Sequence, residues 1–209
     1  MIDAPIDAPG IDAPFVCGAL PQMADDFNDG LLETAKWNAF GDPGTSAVEA
    51  GGVARMTLAD NSATYKYAQF VSRCTYDARG HAVVVRSISR PRAAPGAETS
   101  LCLTHVDTMA RQVCIDYSND TMAAIYNNGT GGNVLASRTY NPALDRFWRL
   151  KEQAGNVYWE TSSNGSGWAT LLATGAPTDM SSVLVEMFGG TFMPVATPGL
   201  AEFDDLSVQ

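Results

Sequence analysis

Residues 146–168 read RFWRLKEQAGNVYWETSSNGSGW, and this stretch decides the fold. Two short segments rich in aromatic and β-branched residues, Arg146–Gln153 and Val157–Ser162, are separated by Ala-Gly-Asn. The second segment ends at Ser163–Gly165, which reads Ser-Asn-Gly, and asparagine and glycine accept the positive φ of hairpin turns. The stretch therefore predicts a β-hairpin, which makes an all-β domain the first hypothesis.

The same alternation of β-rich segments and turns continues from residue 25 to the C-terminus, and no segment has a sustained helical period. Twelve segments are predicted as strands: Gly52–Leu58, Lys66–Thr75, His81–Ser89, Thr99–Val106, Gln112–Ser118, Thr121–Asn127, Val134–Tyr140, Arg146–Gln153, Val157–Ser162, Thr170–Ala173, Leu184–Phe188 and Ala201–Val208. About twelve strands exceed the seven of an immunoglobulin domain. We therefore predict a large two-sheet antiparallel β-sandwich of the jelly-roll type.

Composition limits the classes of partner. The 209 residues are 45% hydrophobic and 17% charged, enough for one large β domain over residues 21–209. The net charge of -10 repels phosphate backbones and anionic membranes, so nucleic acid is not an expected partner. No apolar run approaches the roughly 18 residues of a membrane span, so we expect a soluble chain.

The first 14 residues contain three copies of Ile-Asp-Ala-Pro, and we assign residues 1–20 to a linker. Dense prolines deny the backbone its helix and ladder donors and favour extended geometry, which predicts a semi-rigid spacer. The alternative is a disordered segment without a role. The repeat resembles the tethers of surface lipoproteins in myxobacteria-like organisms. That resemblance implies membrane contact only through a lipid anchor upstream of this chain.

Three segments together resemble concanavalin A-like lectin/glucanase domains, the laminin G-like jelly rolls. In that family a Trp-bearing strand turns at Gly-Asn, returns through an aromatic strand and ends in Ser-x-Asp/Asn-Gly followed by Trp, and residues 146–168 follow this order. Asp25–Asp29 and Glu202–Val208 are similar to the family's first and last strands, which lie side by side. The resemblance implies a concanavalin-like sandwich across residues 25–208.

The family contains both binding proteins and enzymes, so a catalytic motif has to be found directly. Laminarinase-like members carry a Glu-x-Asp-x-x-Glu strand, and this sequence has no such strand. The nearest acidic cluster, Glu202–Asp205, lacks a second glutamate, and neither His81 nor His105 accompanies a nucleophile motif. We therefore expect no enzymatic activity, with a glycoside hydrolase or lyase as the least favoured interpretation.

The predicted function is a binding module that recognises a carbohydrate or another cell-envelope component. The alternative is a structural or adhesive subunit that self-associates into a surface assembly. Four aromatic residues are candidate ligand contacts: Trp37, Tyr65, Tyr67 and Tyr126. Tyr65 and Tyr67 stand two apart, so both rings emerge from one sheet face, although Tyr-x-Tyr is also ordinary strand composition. Trp148, Trp159 and Trp168 are expected in the core rather than on a sugar-stacking surface.

The four cysteines are expected to form disulfides: Cys17, Cys74, Cys102 and Cys114. If a hairpin centres on Thr108, Cys102 falls opposite Cys114, which makes a cross-strand disulfide possible and leaves Cys74 for Cys17. The sequence permits all three pairings, and buried thiols remain the alternative. Disulfides place the protein in the extracellular space or on the outer cell surface.

Two acidic pairs are candidate metal ligands. Asp25 and Asp26 come close to Asp204 and Asp205 if the first and last strands pair, and calcium prefers hard oxygen ligands. Many domains of the family that the sequence resembles hold a structural calcium. The alternative is a set of solvated carboxylates that blunt a strand edge. We therefore expect either no cofactor or one structural calcium.

Overall fold

The computed structural model describes residues 18–60, 63–106 and 111–209, so the Ile-Asp-Ala-Pro repeats and Cys17 lie outside the described residues. The described residues form fourteen strands in two antiparallel sheets of seven strands each, with one short 3-10 helix at Leu20–Met23. The predicted all-β, two-sheet sandwich is confirmed. No helix in this part of the chain is long and apolar enough to cross a membrane.

The strands, numbered in chain order, follow a different order in space within each sheet. Sheet A contains, from one edge to the other, β1 (Trp37–Gly41), β4 (Lys66–Ser72), β13 (Val183–Thr191), β6 (Ala97–His105), β7 (Gln112–Ser118), β8 (Thr121–Asn127) and β9 (Gly132–Thr139). Sheet B contains, in the same way, β12 (Ala169–Gly175), β11 (Asn156–Ser162), β10 (Phe147–Gln153), β5 (Ala82–Ser89), β14 (Leu200–Val208), β3 (Ala54–Thr57) and β2 (Ser46–Glu49). Each of the twelve predicted strands corresponds to one observed strand. The two that the sequence pattern did not predict, β1 and β2, are short edge strands with mostly exposed or half-buried residues.

The hairpin that decided the fold is β10 and β11. Gln153 lies opposite Asn156, and the two turn residues Ala154 and Gly155 both have positive φ, 53° and 80°. Two positive φ values are what a tight two-residue hairpin turn requires. The sequence pattern therefore marked both the strands and their connection.

The core lies between the sheets and is anchored by the tryptophans of this hairpin. Trp148 and Trp159 are fully buried, and each indole N–H donates to a backbone carbonyl, at 3.0 Å to Asp145 and at 2.9 Å to Cys114. Their predicted core position is confirmed. Trp168 is different: it is half-buried and lies under the Arg149 guanidinium, 4.0 Å from its ring centroid. The prediction that Trp168 joins the core is therefore wrong.

The two ends of the described chain meet, as the family resemblance implied. Asp25 and Leu206 exchange two backbone hydrogen bonds, both 2.9 Å long. Asp205 has a φ of 51° in an irregular stretch of β14, where the pairing with β5 shifts register. This strained position turns the Asp205 side chain away from the regular alternation of the strand.

The register of β6 and β7 is the predicted one: Leu101 lies opposite Ile115, Cys102 opposite Cys114, and Leu103 opposite Val113. The disulfide between Cys102 and Cys114 is present, which confirms that pairing. Cys74 is also disulfide-bonded, whereas the predicted partner Cys17 lies outside the described residues. Because the apolar residues of both strands face the core, the Cys102–Cys114 bond lies on the outer face of sheet A.

Candidate functional site

The outer face of sheet A has a cavity of about 320 Å³ that is lined by carboxyl groups and two aromatic side chains. We call it the carboxyl groove. Its lining includes Tyr65, Glu98, Ser100, Gln112, Asp116 and Phe188. No lysine or arginine of the described residues lines it. The cavity is therefore open to a small polar ligand and unfavourable to an anionic one.

Strand alternation brings these side chains to one face. Side chains two apart on a strand share a face, so Ser100 and Thr104 flank Cys102 on β6. On β7, Gln112 and Asp116 flank Cys114 in the same way, opposite Thr104 and Ser100 respectively. The disulfide therefore joins the floor of the groove between two polar clusters.

The first cluster holds two carboxyl groups. The Ser100 hydroxyl donates to Asp116 Oδ1 at 2.6 Å, and the Tyr65 hydroxyl donates to Glu98 Oε1 at 3.0 Å. Glu98 lies opposite Ser118, so Glu98 and Asp116 are diagonal neighbours on adjacent strands. Diagonal neighbours in an antiparallel pair are about 7–8 Å apart, within reach of a shared small ligand.

The environment keeps these acids protonated to unusually high pH. Burial, followed by the charge of Glu98, raises the pKa of Asp116 to about 7, although the hydrogen bond from Ser100 lowers it. Burial also raises the pKa of Glu98, and the hydrogen bond from Tyr65 opposes that rise. Two interacting carboxyl groups lose their protons in separate steps. Below about pH 7 the Asp116 carboxyl is therefore mostly protonated.

The second cluster holds a third carboxyl group, Glu186 of β13. The Gln112 side-chain amide donates to Glu186 Oε2 and to the Thr104 hydroxyl, both at 3.1 Å. The Asn127 amide in turn donates to Gln112 Oε1 at 3.3 Å. Burial raises the pKa of Glu186, and its hydrogen bonds to Thr104 and Gln112 oppose the rise. Both of these hydrogen-bonding partners of the carboxyl group are neutral.

Tyr65 lines the groove, and an aromatic cluster extends from it to Tyr67 and Phe40. The rings of Tyr65 and Tyr67 are 5.6 Å apart, and Phe40 lies 6.2 Å from Tyr67 on the neighbouring strand. Tyr65 is 47% exposed, and its ring lies over Gly190 of β13, where a Cβ atom would be only 3.0 Å from the Lys66 carbonyl oxygen. The absence of a side chain there lets Tyr65 cross β13 and reach Glu98. Tyr65 and Tyr67 thus share one face, while their contact with a ligand stays a prediction.

The other two aromatic candidates lie elsewhere. Trp37 is 1% exposed, packs edge-on against Phe70, and donates its indole N–H to Asp25 Oδ2 at 2.8 Å. Its indole has no face available to a ligand, so the assignment of Trp37 to a binding surface has to be corrected. Tyr126 lies opposite the fully buried Val113 and packs half-buried against the core, which also removes it from the groove.

The acidic pairs that were candidate calcium ligands have hydrogen-bonding or ion-pair partners within the fold, and their binding of calcium stays a prediction. Asp25 accepts hydrogen bonds from the Trp37 indole and the Phe27 amide, and Asp26 accepts from Asn28. Two further carboxylates, Asp204 and Asp205, form ion pairs with Arg86. Within residues 18–60, 63–106 and 111–209, no three His, Cys, Asp or Glu side chains are grouped to hold a metal. We therefore assign no metal-dependent step to these residues.

The three carboxyl groups of the two clusters were not predicted from the sequence, because they do not lie on one strand. A catalytic pair on one strand shows as a short motif, whereas Glu98, Asp116 and Glu186 come from three strands. The hairpin register that places Cys102 opposite Cys114 also places Glu98 and Asp116 on the same face, so that signal was available. Glu186 reaches this face only through the pairing of β13 with β6, which is about eighty residues away in the sequence.

No family model matches the sequence, and no curated protein matches it. Solved structures do resemble the chain. One, described with endo-acting O-glycanases that members of the human gut microbiota use to initiate mucin breakdown, has a TM-score of 0.67 at 11% identity, covering 88% of this chain and 97% of that chain. SCLam, a non-specific endo-β-1,3(4)-glucanase from family GH16, has a TM-score of 0.63 at 10% identity and covers 88% of each chain. The VIP36 exoplasmic/lumenal domain, bound to Ca²⁺ and Man3GlcNAc, has a TM-score of 0.57 at 13% identity, covering 85% of this chain and 84% of that chain.

These likenesses correct one prediction. The expectation of no enzymatic activity is wrong, because a glucanase and a structure described with O-glycanases are among the structures that resemble this chain. That expectation rested on a missing single-strand motif, whereas the groove assembles its carboxyl groups from separate strands. At 10–13% identity the likeness shows the fold. The chain has the concanavalin A-like jelly-roll fold of both glycoside hydrolases and lectins.

Proposed function

We propose that the chain binds a carbohydrate along the carboxyl groove and hydrolyses a glycosidic bond there, with Glu98 and Asp116 as the catalytic pair. One observation carries the proposal: two interacting carboxyl groups lie in an open groove without a cation, and the pKa of Asp116 is raised to about 7. Pairs of acids with elevated pKa in a cleft are typical of general acid–base sites. The fold shared with glycanases supports the same chemistry.

The proposed roles follow from the environments of the two groups. Asp116, protonated near neutral pH, donates its proton to the leaving glycosidic oxygen as the bond from the anomeric carbon breaks. We assign the carboxylate role to Glu98, because the hydrogen bond from the Tyr65 hydroxyl opposes the rise in its pKa that burial causes. It either attacks the anomeric carbon or takes a proton from the water that does so, and water supplies the new hydroxyl in both cases. Carboxyl groups about 5–5.5 Å apart favour the first route, and about 6.5–9.5 Å the second.

The rest of the groove is suited to a neutral sugar. Tyr65 and Tyr67 present rings that can stack on the apolar face of a pyranose, and the Gln112 and Asn127 amides can bind hydroxyl groups. Carboxyl groups without a cation disfavour an acidic sugar at this point. Neutral glycans are therefore the proposed substrate class.

The experiment measures reducing-end release from a panel of neutral polysaccharides and O-glycans. Asp116→Asn and Glu98→Gln should each lower kcat by about 10²- to 10⁴-fold, while Glu202→Gln on sheet B should retain the wild-type kcat in its folded fraction. The anomeric configuration of the product, read by NMR, separates the two routes. Activity that survives both groove substitutions, or binding without cleavage of any substrate, would refute the catalytic assignment.

We also propose that the protein works outside the cytoplasm, at the outer cell surface or free in the medium. The disulfide between Cys102 and Cys114, and the disulfide-bonded state of Cys74, are typical of oxidising compartments. The spacer role of residues 1–20 and the upstream lipid anchor stay predictions. Fractionation of the natural host tests the location, and intact-mass analysis of the native protein tests the lipid anchor.

A further inference from the structure

We propose that a second site, separate from the carboxyl groove, binds an oxyanion such as a sulfate or carboxylate group. It is a cavity of about 290 Å³ lined by six residues: Arg86, Ser87, Ile88, Arg90, Pro142 and Arg146. We call it the three-arginine pocket. Half of its lining is arginine, in a chain with 13 basic and 23 acidic residues. This local excess of positive charge opposes the charge of the whole molecule.

Sheet pairing brings the three arginines together. Arg86 belongs to β5, Arg90 follows the end of that strand, and Arg146 directly precedes β10. The Ser87 amide donates to the Arg146 carbonyl at 2.8 Å, which fixes the start of β10 beside β5. The pocket is therefore built on two paired strands of the sheet, and its backbone is held in place.

The charge of Arg86 is neutralised within the fold, but that of the other two arginines is not. Arg86 forms ion pairs with Asp204 and Asp205. Arg90 rests on aromatic rings, 4.6 Å from the Tyr140 centroid, and Arg146 is exposed. No carboxylate of the described residues pairs with Arg90 or Arg146, and no acidic residue lines the pocket. Two guanidinium groups are thus left for an external anion.

A second observation concerns Tyr140, which is not among the residues that line the pocket but packs against Arg90. The Tyr140 hydroxyl is buried, and within the described part of the chain it has no hydrogen-bond partner. Burial raises the pKa of this hydroxyl and the Asp145 carboxylate adds to the rise, whereas the charges of Arg90 and Arg146 lower it. A buried hydroxyl without a partner costs free energy, so the surroundings of Arg90 include one polar group that is left unsatisfied within the described residues.

The size and chemistry of the pocket limit the ligand. A cavity of about 290 Å³ accommodates one oxyanion or one substituted sugar ring, and guanidinium groups bind planar and tetrahedral oxyanions through paired N–H donors. The anion is either free in solution or carried on a glycan. Because the net charge of -10 repels anions at long range, binding depends on direct contact with the guanidinium groups.

The test titrates inorganic sulfate into the protein by isothermal titration calorimetry, at constant ionic strength with chloride as the competing salt. Saturable binding is expected, and Arg146→Gln should raise the Kd about tenfold because it removes one charge-assisted contact. The Arg146 side chain is exposed, so this substitution should leave the fold intact. Arg92→Gln, the same charge change at an exposed arginine outside the pocket, is the matched control and should alter the Kd less than about twofold.

Glucose 6-sulfate and glucose are then compared with sulfate. Tighter binding of the sulfated sugar than of free sulfate would assign the anion to a glycan, and equal binding would assign it to a free ion. Asp116→Asn should leave sulfate binding unchanged, so this site does not depend on the function proposed for the groove. The absence of saturable sulfate binding, or an equal loss in the Arg92 and Arg146 variants, would overturn the proposal.

Discussion

On the outer face of sheet B three buried carboxylates are each paired with an arginine, whereas the hydrogen bonds to Glu98, Asp116 and Glu186 of sheet A come, within the described residues, from neutral groups. Arg149 binds Glu160 at 2.6 Å, and Arg55 binds Glu202 at 2.6 Å. Asp204 is bound by Arg86. Each pair joins adjacent strands of sheet B, so these ion pairs tie the sheet together across its surface.

The carboxyl groups on the outer face of sheet A have neutral hydrogen-bond donors in place of arginines. Glu98, Asp116 and Glu186 accept hydrogen bonds from a phenol, a hydroxyl and an amide, and burial raises the pKa of all three. Burying a carboxylate without a cation beside it lowers the free energy of unfolding. The ion pairs of sheet B offset this loss, whereas the neutral partners on sheet A do not. Such costs concentrate at functional sites, which makes sheet A the face where chemistry is expected.

The largest expected effect is on sheet B. Glu160→Gln leaves the Arg149 guanidinium, whose side chain is only 12% exposed, without its carboxylate. Removing one partner of a buried ion pair should lower the free energy of unfolding by about 3 kcal/mol. Urea denaturation at pH 7 measures the change. An unaltered midpoint would mean that the ion pairs of sheet B contribute nothing to stability, and the comparison between the faces would fail.

A similar substitution on sheet A should have the opposite sign. The pKa of Asp116 is about 7 in the folded state and 3.8 in an ordinary environment, so the native state binds more protons between these pH values. Stability is therefore lost as the pH rises from about 4 to 7. Asp116→Asn removes this loss, and we expect the variant to be more stable than wild type at pH 8, on the order of 2 kcal/mol, and equally stable at pH 4.

Urea titrations of both proteins at the two pH values measure this difference. Loss of stability in the variant at pH 8 would show that the Asp116 carboxylate is favourable in the fold, as the carboxylates of sheet B are. Glu202→Gln serves as the control, because its ion pair with Arg55 should make the substitution destabilising at pH 8.

The features that depend on segments adjacent in the sequence could be predicted. The hairpin around residues 154 and 155 and the register of Cys102 with Cys114 depend on neighbouring segments and their turns, which strand periodicity and turn chemistry describe well. The buried Trp148 and Trp159 followed from the same pattern. Tyr65 and Tyr67 were placed on one face by alternation alone.

Contacts between strands that are far apart in the sequence could not be predicted. Nothing in a single sequence indicates that β13 lies between β4 and β6, so Glu186 could not be assigned to the outer face beside the groove. The same limit applies to the acidic pairs, because the arginine that binds Asp204 and Asp205 comes from β5, more than a hundred residues earlier. Trp37 was misassigned because an indole in a short edge strand gives no sign of which face it occupies.

Aromatic stacking on sheet A should have a smaller effect than these charges. Replacing Tyr65 and Tyr67 together by Ala should weaken glycan binding about tenfold, since each stacked ring contributes roughly 0.7 kcal/mol. Tyr158→Ala on sheet B, where the ring packs under Lys151 at 4.4 Å, is the matched aromatic control and should not change affinity. A double variant that melts early yet keeps its affinity per folded molecule would place the binding surface elsewhere.

The smallest expected effect comes from a substitution that distinguishes the role of the Tyr65 ring from the role of its hydroxyl. Tyr65→Phe keeps the stacking surface but removes the hydrogen bond donated to Glu98, and this bond lowers the pKa of that carboxyl. Because the hydrogen bond favours the ionised form, the pKa of Glu98 should rise further when it is removed. NMR titration of the Glu98 side chain measures this rise, and under the proposed mechanism the acid limb of the activity profile moves to higher pH with it. If the titration is unchanged while affinity falls, the hydroxyl binds the ligand directly and the raised pKa of Glu98 depends on burial alone.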